Sequence, residues 1–239
     1  MIVNNTKQRV EPSSSEVIGD LRHARGKNTR ELLLQTAERL FAELGIAAVS
    51  LRDIGAAAGQ KNNAAVNYHF GNKDDLVKSI VLYRVQGIKN SSAAYQRVFA
   101  DERSPKLRDL INVFVYPFGA IIPEGHYYIP FLSRFIAENG GTSDLIEAAT
   151  ASQLNGLKAA IGRALGGCAA ATLDERWDIF TESVIHSLAR YQTAYRKGAL
   201  CRPLDVLLDD LVSYHAAGFE APQFDREHAP AEPSHEAME

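Results

Sequence analysis

Along most of this chain apolar residues return at intervals of three and four, the spacing that lines one face of an α-helix. Leu33, Ala37, Leu40, Phe41 and Leu44 form a first stripe, and Gly45 follows in the position of a helix-ending glycine. Leu107, Leu110, Ile111, Phe114 and Phe118 form a second, and Leu154, Leu157, Ile161 and Leu165 a third. The most regular stripes come last: Leu173, Trp177, Phe180, Val184, Leu188 and Tyr191, then Leu204, Leu207, Leu208, Leu211 and Val212. Val/Ile alternation of the kind that builds a half-buried strand is nearly absent, so the pattern predicts an all-α fold.

Polar residues mark the helix starts. Asn28 with Glu31, Ser50 with Asp53, Asn72 with Asp75 and Thr172 with Glu175 all have capping-box spacing, and Ser104-Pro105 supplies a cap and a first-turn proline. Helices are expected over 29–44, 51–58, 62–69, 73–99, 105–122 and 145–165, followed by the two long amphipathic ones. Pro117 falls inside the fifth and predicts a kink. The second and third are short and joined by the turn Gly59-Gln60-Lys61, which is a helix-turn-helix pattern.

That pattern accounts for the crowded stretch "AAVNYHFGNKDDL", residues 64–76. The second short helix of such a unit lies in the major groove, so its outer face carries donors and acceptors while one or two apolar residues anchor it inward. Val66 and Phe70, four apart, are the anchors. Asn63 and Asn67 suit the N6/N7 edge of adenine, and Tyr68, His69 and Lys73 suit phosphate oxygens. Arg25, Lys27, Thr29, Ser50, Arg52, Lys61 and Asn62 complete the candidate DNA-contacting set.

Charge sharpens this picture. The formal net charge is −3, yet the segment from Leu21 to Lys89 holds 11 Lys and Arg against 6 Asp and Glu, a net +5 on a chain that is otherwise −8. A basic end on an acidic body is expected when only that end meets phosphates. With 46% hydrophobic residues among 239, the chain can bury a sizeable core. The N-terminus lacks the apolar core of a signal peptide, and "VFVYPFGAII" is shorter than the roughly 20 residues that span a bilayer. A cytoplasmic location with no membrane partner is therefore expected. Cys168 and Cys201 have no neighbouring Cys or His at zinc spacing, so no metal and no cofactor is expected.

"TRELLLQTAERLFAELGIAAVSLRDIGAAAGQKNNAAVNYHFGNKDDL", residues 29–76, resembles the DNA-binding domain of the TetR family of bacterial transcriptional regulators. The resemblance rests on the A-x-x-L-F-x-x-x-G helix end, S-L-R-D-I, A-G and Y-H-F-x-N-K-x-x-L taken together. Gly55 and Gln60 depart from the common pattern around the turn, and Asn67 stands in the recognition helix where many members have Tyr, so base preference does not carry over. The resemblance implies a homodimer on a palindromic double-stranded operator, a helical body with a small-molecule pocket, and His69 set against the DNA backbone. The implied organisation is a disordered arm over 1–20, a helix-turn-helix domain over 21–76, an effector-binding and dimerisation domain over 77–219, and a disordered tail over 220–239.

In the body, Phe114, Phe118, Tyr127, Tyr128, Phe131, Phe135, Trp177 and Phe180 supply mainly apolar surface, with Arg134 and His186 as candidate polar ends. Taken singly, these rings read as ordinary core or as pocket lining; the resemblance favours a pocket for an apolar effector. The two final helices read as core or as half of a four-helix bundle across a two-fold axis. Half-site geometry favours the bundle, through Leu173, Val184, Leu188, Tyr191, Leu204, Leu208, Leu211 and Val212. An enzyme is disfavoured: no Ser/His/Asp or Cys/His spacing is present, and "GRALGG" follows no strand.

Overall fold

A computed structural model describes residues 14–60, 64–91, 105–141 and 144–222, with side chains described for 28–60, 64–86, 105–141 and 154–222. Every regular element among the described residues is helical. The helices are α1 (Ser14–Leu44), α2 (Leu51–Ala57), α3 (Ala65–Phe70), α4 (Lys73–Ser91), α5 (Leu107–Ala120), α6 (Tyr128–Asn139), α7 (Asp144–Ala164), α8 (Ala170–Arg196) and α9 (Leu204–Glu220). None is long and apolar enough to cross a membrane among these residues.

Of the four expected capping boxes, Ser50 with Asp53 forms in full, and Asn72 caps its helix with Asp75 bonded to its side chain in place of its backbone N–H. Ser50 N–H donates to Asp53 Oδ2 at 2.9 Å while Asp53 N–H donates back to Ser50 Oγ at 3.2 Å. Asp75 N–H donates to Asn72 Oδ1 at 2.8 Å, and Asn72 Nδ2 returns a bond to Asp75. The other two do not start helices. The first helix runs through Asn28 back to Ser14, so the expected arm is helical in its last residues. The eighth begins before Thr172, with Ala169 at its cap. A capping box is a local preference of about 1 kcal/mol, and a helix with neighbours to pack on can run through it.

The core has two parts. In the first, Leu33, Ala37 and Phe41 of α1 meet Ile54 of α2, Val66 and Phe70 of α3, and Leu76 and Ile80 of α4. Helix α6 joins this cluster through Tyr128, Phe131, Leu132 and Phe135, so the N-terminal three-helix unit closes its core against the body. In the second, α5 lies among α7, α8 and α9, with Leu110, Ile111, Phe114, Leu157, Ile161, Phe180, Val184, Leu188 and Val212 buried. Phe118 and Ile121, at the end of α5, pack against both.

Two glycines permit the close approaches in the body. A Cβ at Gly119 would sit 2.5 Å from Leu208 Cδ1, so α5 meets α9 only because that position is bare. At Gly162 a Cβ would sit 2.8 Å from Leu173 Cδ2, which sets α7 close to the start of α8.

The eight apolar positions assigned to dimerisation belong to this second core. Val184, Leu188 and Val212 are completely buried within one chain, and Leu208 and Leu211 nearly so. Leu173, Tyr191 and Leu204 are partly buried against the same cluster. The repeat identified the apolar faces of α8 and α9 correctly, but α5 covers them. The outward stripes are different: Glu175, Ile179, Glu182, His186 and Arg190 on α8, and Val206, Asp210, Tyr214 and Ala217 on α9. Ile179 is 65% exposed, Tyr214 74% and Val206 39%.

Candidate nucleic-acid interface

Helix α3 is short, and its two ends of chemistry are sharply separated. Val66 is fully buried and Phe70 nearly so, while Asn67 is exposed and Tyr68 is 85% exposed. The buried pair fixes the helix on α1 and α2, so the exposed pair is held outward on a rigid support. At Gly55 a Cβ would meet Val66 Cγ2 at 3.4 Å, ordinary contact, so α2 and α3 lie no closer than an alanine would permit. His69 is half-buried between its neighbours' rings, 5.2 Å from Tyr68 and 6.1 Å from Phe70.

The flanking candidates fall into three groups. Arg52 is exposed on α2, and Thr29 is half-buried on α1. Ser50 is exposed, but its hydroxyl is engaged with Asp53, and those bonds with Ser50 are what hold the Asp53 carboxyl below its usual range. Lys73 is turned back on the protein: its Nζ donates to Ile46 O at 2.7 Å and Ala47 O at 3.4 Å. An ammonium has three donors, so a phosphate would share this group with two carbonyls. Arg25, Lys27, Lys61, Asn62 and Asn63 lie outside the described side chains.

One basic residue escaped the sequence reading. The Arg30 guanidinium lies 5.0 Å over the Phe70 ring, at the edge of α3. Thirty-nine intervening residues separate the two in sequence, so only packing brings them together.

The body candidates divide as well. Phe114, Phe118, Trp177 and Phe180 form a contiguous ring cluster with centroids 5.0–6.3 Å apart. Tyr128, Phe131 and Phe135 continue the row of rings into the core beneath α1: Phe118 stacks on Tyr128 at 6.1 Å, Tyr128 on Phe131 at 6.2 Å, and Phe131 on Phe41 at 6.2 Å. Complete burial pushes the Tyr128 phenol far above its usual range. Tyr127 lies under the Arg196 guanidinium at 4.2 Å. Arg134 and His186, expected at the polar end of a pocket, lie outside the ring cluster. Arg134 is exposed and pairs with Glu138 at 3.0 Å; exposed His186 meets Ser133 through Nδ1 at 2.8 Å. Polar groups beside the Phe180 end of these rings include Ser183 and His215. His215 Nε2 is 3.0 Å from Ser183 Oγ, and its ring meets Phe180 at 5.1 Å. Burial lowers the His215 pKa to about 4, so the ring is neutral at pH 7.

Head and body are joined by two polar clamps. Glu38 of α1, 2% exposed, takes a two-pronged contact from Arg84 of α4 at 2.6 and 2.8 Å, and also accepts Tyr127 N–H at 3.0 Å. Glu138 of α6 accepts Ile46 N–H at 3.0 Å and Ala47 N–H at 3.2 Å, in the turn between α1 and α2.

A helix-turn-helix whose second helix presents polar side chains from an apolar anchor, carried on a larger helical body, defines a class of nucleic-acid reader. Residues 33–80 match the profile described as "Bacterial regulatory proteins, tetR family". The chain is 32% identical over 85 residues to the HTH-type transcriptional regulator AcrR of Shigella flexneri, covering 36% of this chain and 39% of that one. It is 51% identical over 49 residues to the HTH-type transcriptional repressor Rv3405c of Mycobacterium tuberculosis, covering 20% of this chain and 26% of that one. The fatty acid degradation regulator FadR of Bacillus halodurans superposes with a TM-score of 0.55 at 13% identity, over 80% of this chain and 95% of that one. Over residues 33–80 the chain is therefore similar to regulators of the TetR family. Its matched stretches span about two-fifths of AcrR and about a quarter of Rv3405c, whereas the fold likeness to FadR extends through the helical body.

Proposed function

We propose that this protein is a ligand-responsive transcriptional repressor that binds a two-half-site DNA operator as a homodimer. The observation that carries the reading is the geometry of α3: Asn67 and Tyr68 exposed on a helix anchored by Val66 and Phe70, within a basic segment. Repression rather than activation is favoured by the name of the mycobacterial relative, which is half identical over the reading head. Each half-site would take one α3, with centres about 34–36 Å apart or a multiple of that. The dimer seam we assign to the outward stripes of α8 and α9, around Ile179, Val206 and Tyr214. Solvent-facing residues that are this apolar suit an isologous contact.

The effector we assign to the ring cluster of Phe114, Phe118, Trp177 and Phe180. The polar groups beside it are a hydroxyl and a neutral imidazole, so a mainly apolar molecule with a neutral polar end suits it better than an anion. Such a molecule must bind the DNA-incompetent state better than the competent one; swinging the balance from 1:99 to 99:1 takes about 10⁴-fold.

The test has two stages. Random DNA retained by the pure protein is sequenced, and a paired, inverted motif is expected. Fatty alcohols, acyl chains and small phenolics are then screened by thermal shift and by fluorescence anisotropy on that motif. Ligands should raise the melting temperature and weaken DNA binding at the same concentrations. Retention of no preferred sequence would sink the regulator reading. Hits confined to hydrophilic metabolites would sink the apolar-effector assignment.

A further inference from the structure

The turn between α1 and α2 is gripped from two sides through the same two residues, Ile46 and Ala47. Glu138, on α6 of the body, accepts the N–H groups of Ile46 and Ala47, while Arg134 braces its carboxylate at 3.0 Å. Lys73 donates to the carbonyls of Ile46 and Ala47 from the other side. Lys73 opens α4 three residues after Phe70 closes the candidate recognition helix. Two polar links therefore lead from a body helix, through one turn, to Lys73, three residues past the end of α3.

Gly45 shows how closely the turn is held. Its φ is +94°, a conformation L side chains rarely adopt. A Cβ added there would also sit 2.5 Å from Glu138 Oε1 and 3.1 Å from Arg134 Nη2. The glycine thus serves the helix end and the close seat of the carboxylate together. Helix packing alone does not require such a carboxylate. The apolar contact of α1 with α6 runs through Phe41 and Phe131, whose rings stack at 6.2 Å. Charge-assisted bonds to two consecutive amides add the direction that apolar packing lacks.

We infer that Glu138 is a positioning residue for DNA recognition: by holding the 46–47 peptides it sets the attitude of the recognition helix relative to the body, and so the spacing of the two half-sites the dimer accepts. This rests on the DNA-reading function proposed above. Glu138 touches no DNA in this scheme; it acts through the turn and Lys73. Its side chain is partly exposed, so its loss leaves no buried charge behind.

The experiment uses the full chain and the variants Glu138→Ala, Glu138→Gln and Arg134→Ala. Binding-site selection from a random pool reads half-site bases and half-site spacing separately. Glu138→Ala should broaden the spacing distribution and weaken the parental site by about tenfold, while the bases preferred within each half-site stay the same. Glu138→Gln, which keeps one acceptor oxygen, should fall between, and Arg134→Ala should have the smallest effect. A second measurement needs no DNA. Spin labels at Ala57→Cys and Asp178→Cys, with Cys168 and Cys201 replaced by serine and the labelled chain diluted into unlabelled, report the head-to-body distance. That distribution should be narrow in the parent and broad in Glu138→Ala. Unchanged spacing and an unchanged distance distribution would overturn the assignment, whether or not the melting temperature fell. Loss of base preference along with spacing would also overturn it, by showing a head that unfolds rather than tilts. Should the parent select no DNA while the distance still broadens, the positioning role of Glu138 stands for the head but the DNA-reading function fails.

Discussion

Asn67 combines exposure with a rigid mount, which is what a base-reading amide needs. Asn67→Ala should cost about 1–3 kcal/mol at one base position of the operator and relax preference there, while other positions keep theirs. Binding-site selection measures this, and an unaltered preference everywhere would remove Asn67 from the reading set. Glu38 is the opposite kind of residue, buried and fully committed. It satisfies Arg84 and the Tyr127 amide at once, so Glu38→Ala strands a largely buried guanidinium. A loss of about 3–5 kcal/mol is expected in urea denaturation, because the remaining charge is left unpaired. A loss below 1 kcal/mol would mean that water reaches Arg84 and replaces the pair. The sequence showed Glu38 only as a polar residue on a helix. Its partners lie 46 and 89 positions away, and no local spacing announces them.

Helices α8 and α9 form an antiparallel hairpin, tied where Arg176 donates to the carbonyls of Phe219 and Ala221 at 2.6 Å each. One face is apolar and covered by α5; the other carries Ile179, Val206 and Tyr214 to solvent. The two faces predict different outcomes for the same kind of substitution. Ile179→Glu and Tyr214→Glu should yield folded monomer in sedimentation, with a melting temperature close to the parent's. Leu188→Glu should instead fail to fold, since a carboxylate at that fully buried site has no partner. If Ile179→Glu and Tyr214→Glu both stayed dimeric, the seam would lie on another face. Periodicity sees an apolar stripe but is silent on what covers it, which is why the eight stripe residues first pointed to the partner chain.

At the scale of the whole molecule, stability should depend on pH through His215. Its folded pKa is lowered, to about 4 from 6.5, so below pH 6.5 the unfolded chain binds more protons than the folded one. Stability is therefore fully present above about pH 6.5 and falls as the pH drops towards 4, where the loss levels off. Urea midpoints between pH 7 and pH 4 should show this fall, and His215→Gln should flatten it. Equal slopes in parent and variant would assign the acid sensitivity to other groups.

The helical class, the helix-turn-helix, the Ser50 and Asn72 caps and the family resemblance of the reading head were legible in the sequence. Each is written in local spacing: three-and-four periodicity, reciprocal caps, a glycine turn, and a contiguous block of matching residues. Local patterns also separated Val66 and Phe70 from Asn67 and Tyr68, because the two faces of one short helix differ within five positions. Everything that depends on which helix meets which was not legible. Tertiary packing set Tyr128, Phe131 and Phe135 under α1 and joined them to Phe114 and Phe180 through Phe118. It placed Arg134 against the α1–α2 turn and set Arg30 over Phe70. It turned Lys73 back toward the turn carbonyls, and it let α5 cover the apolar faces of the final hairpin. These outcomes follow from contacts across tens of residues, where burial and hydrogen-bond demand of distant segments are satisfied together, and no single stretch of chain contains both halves of such a contact.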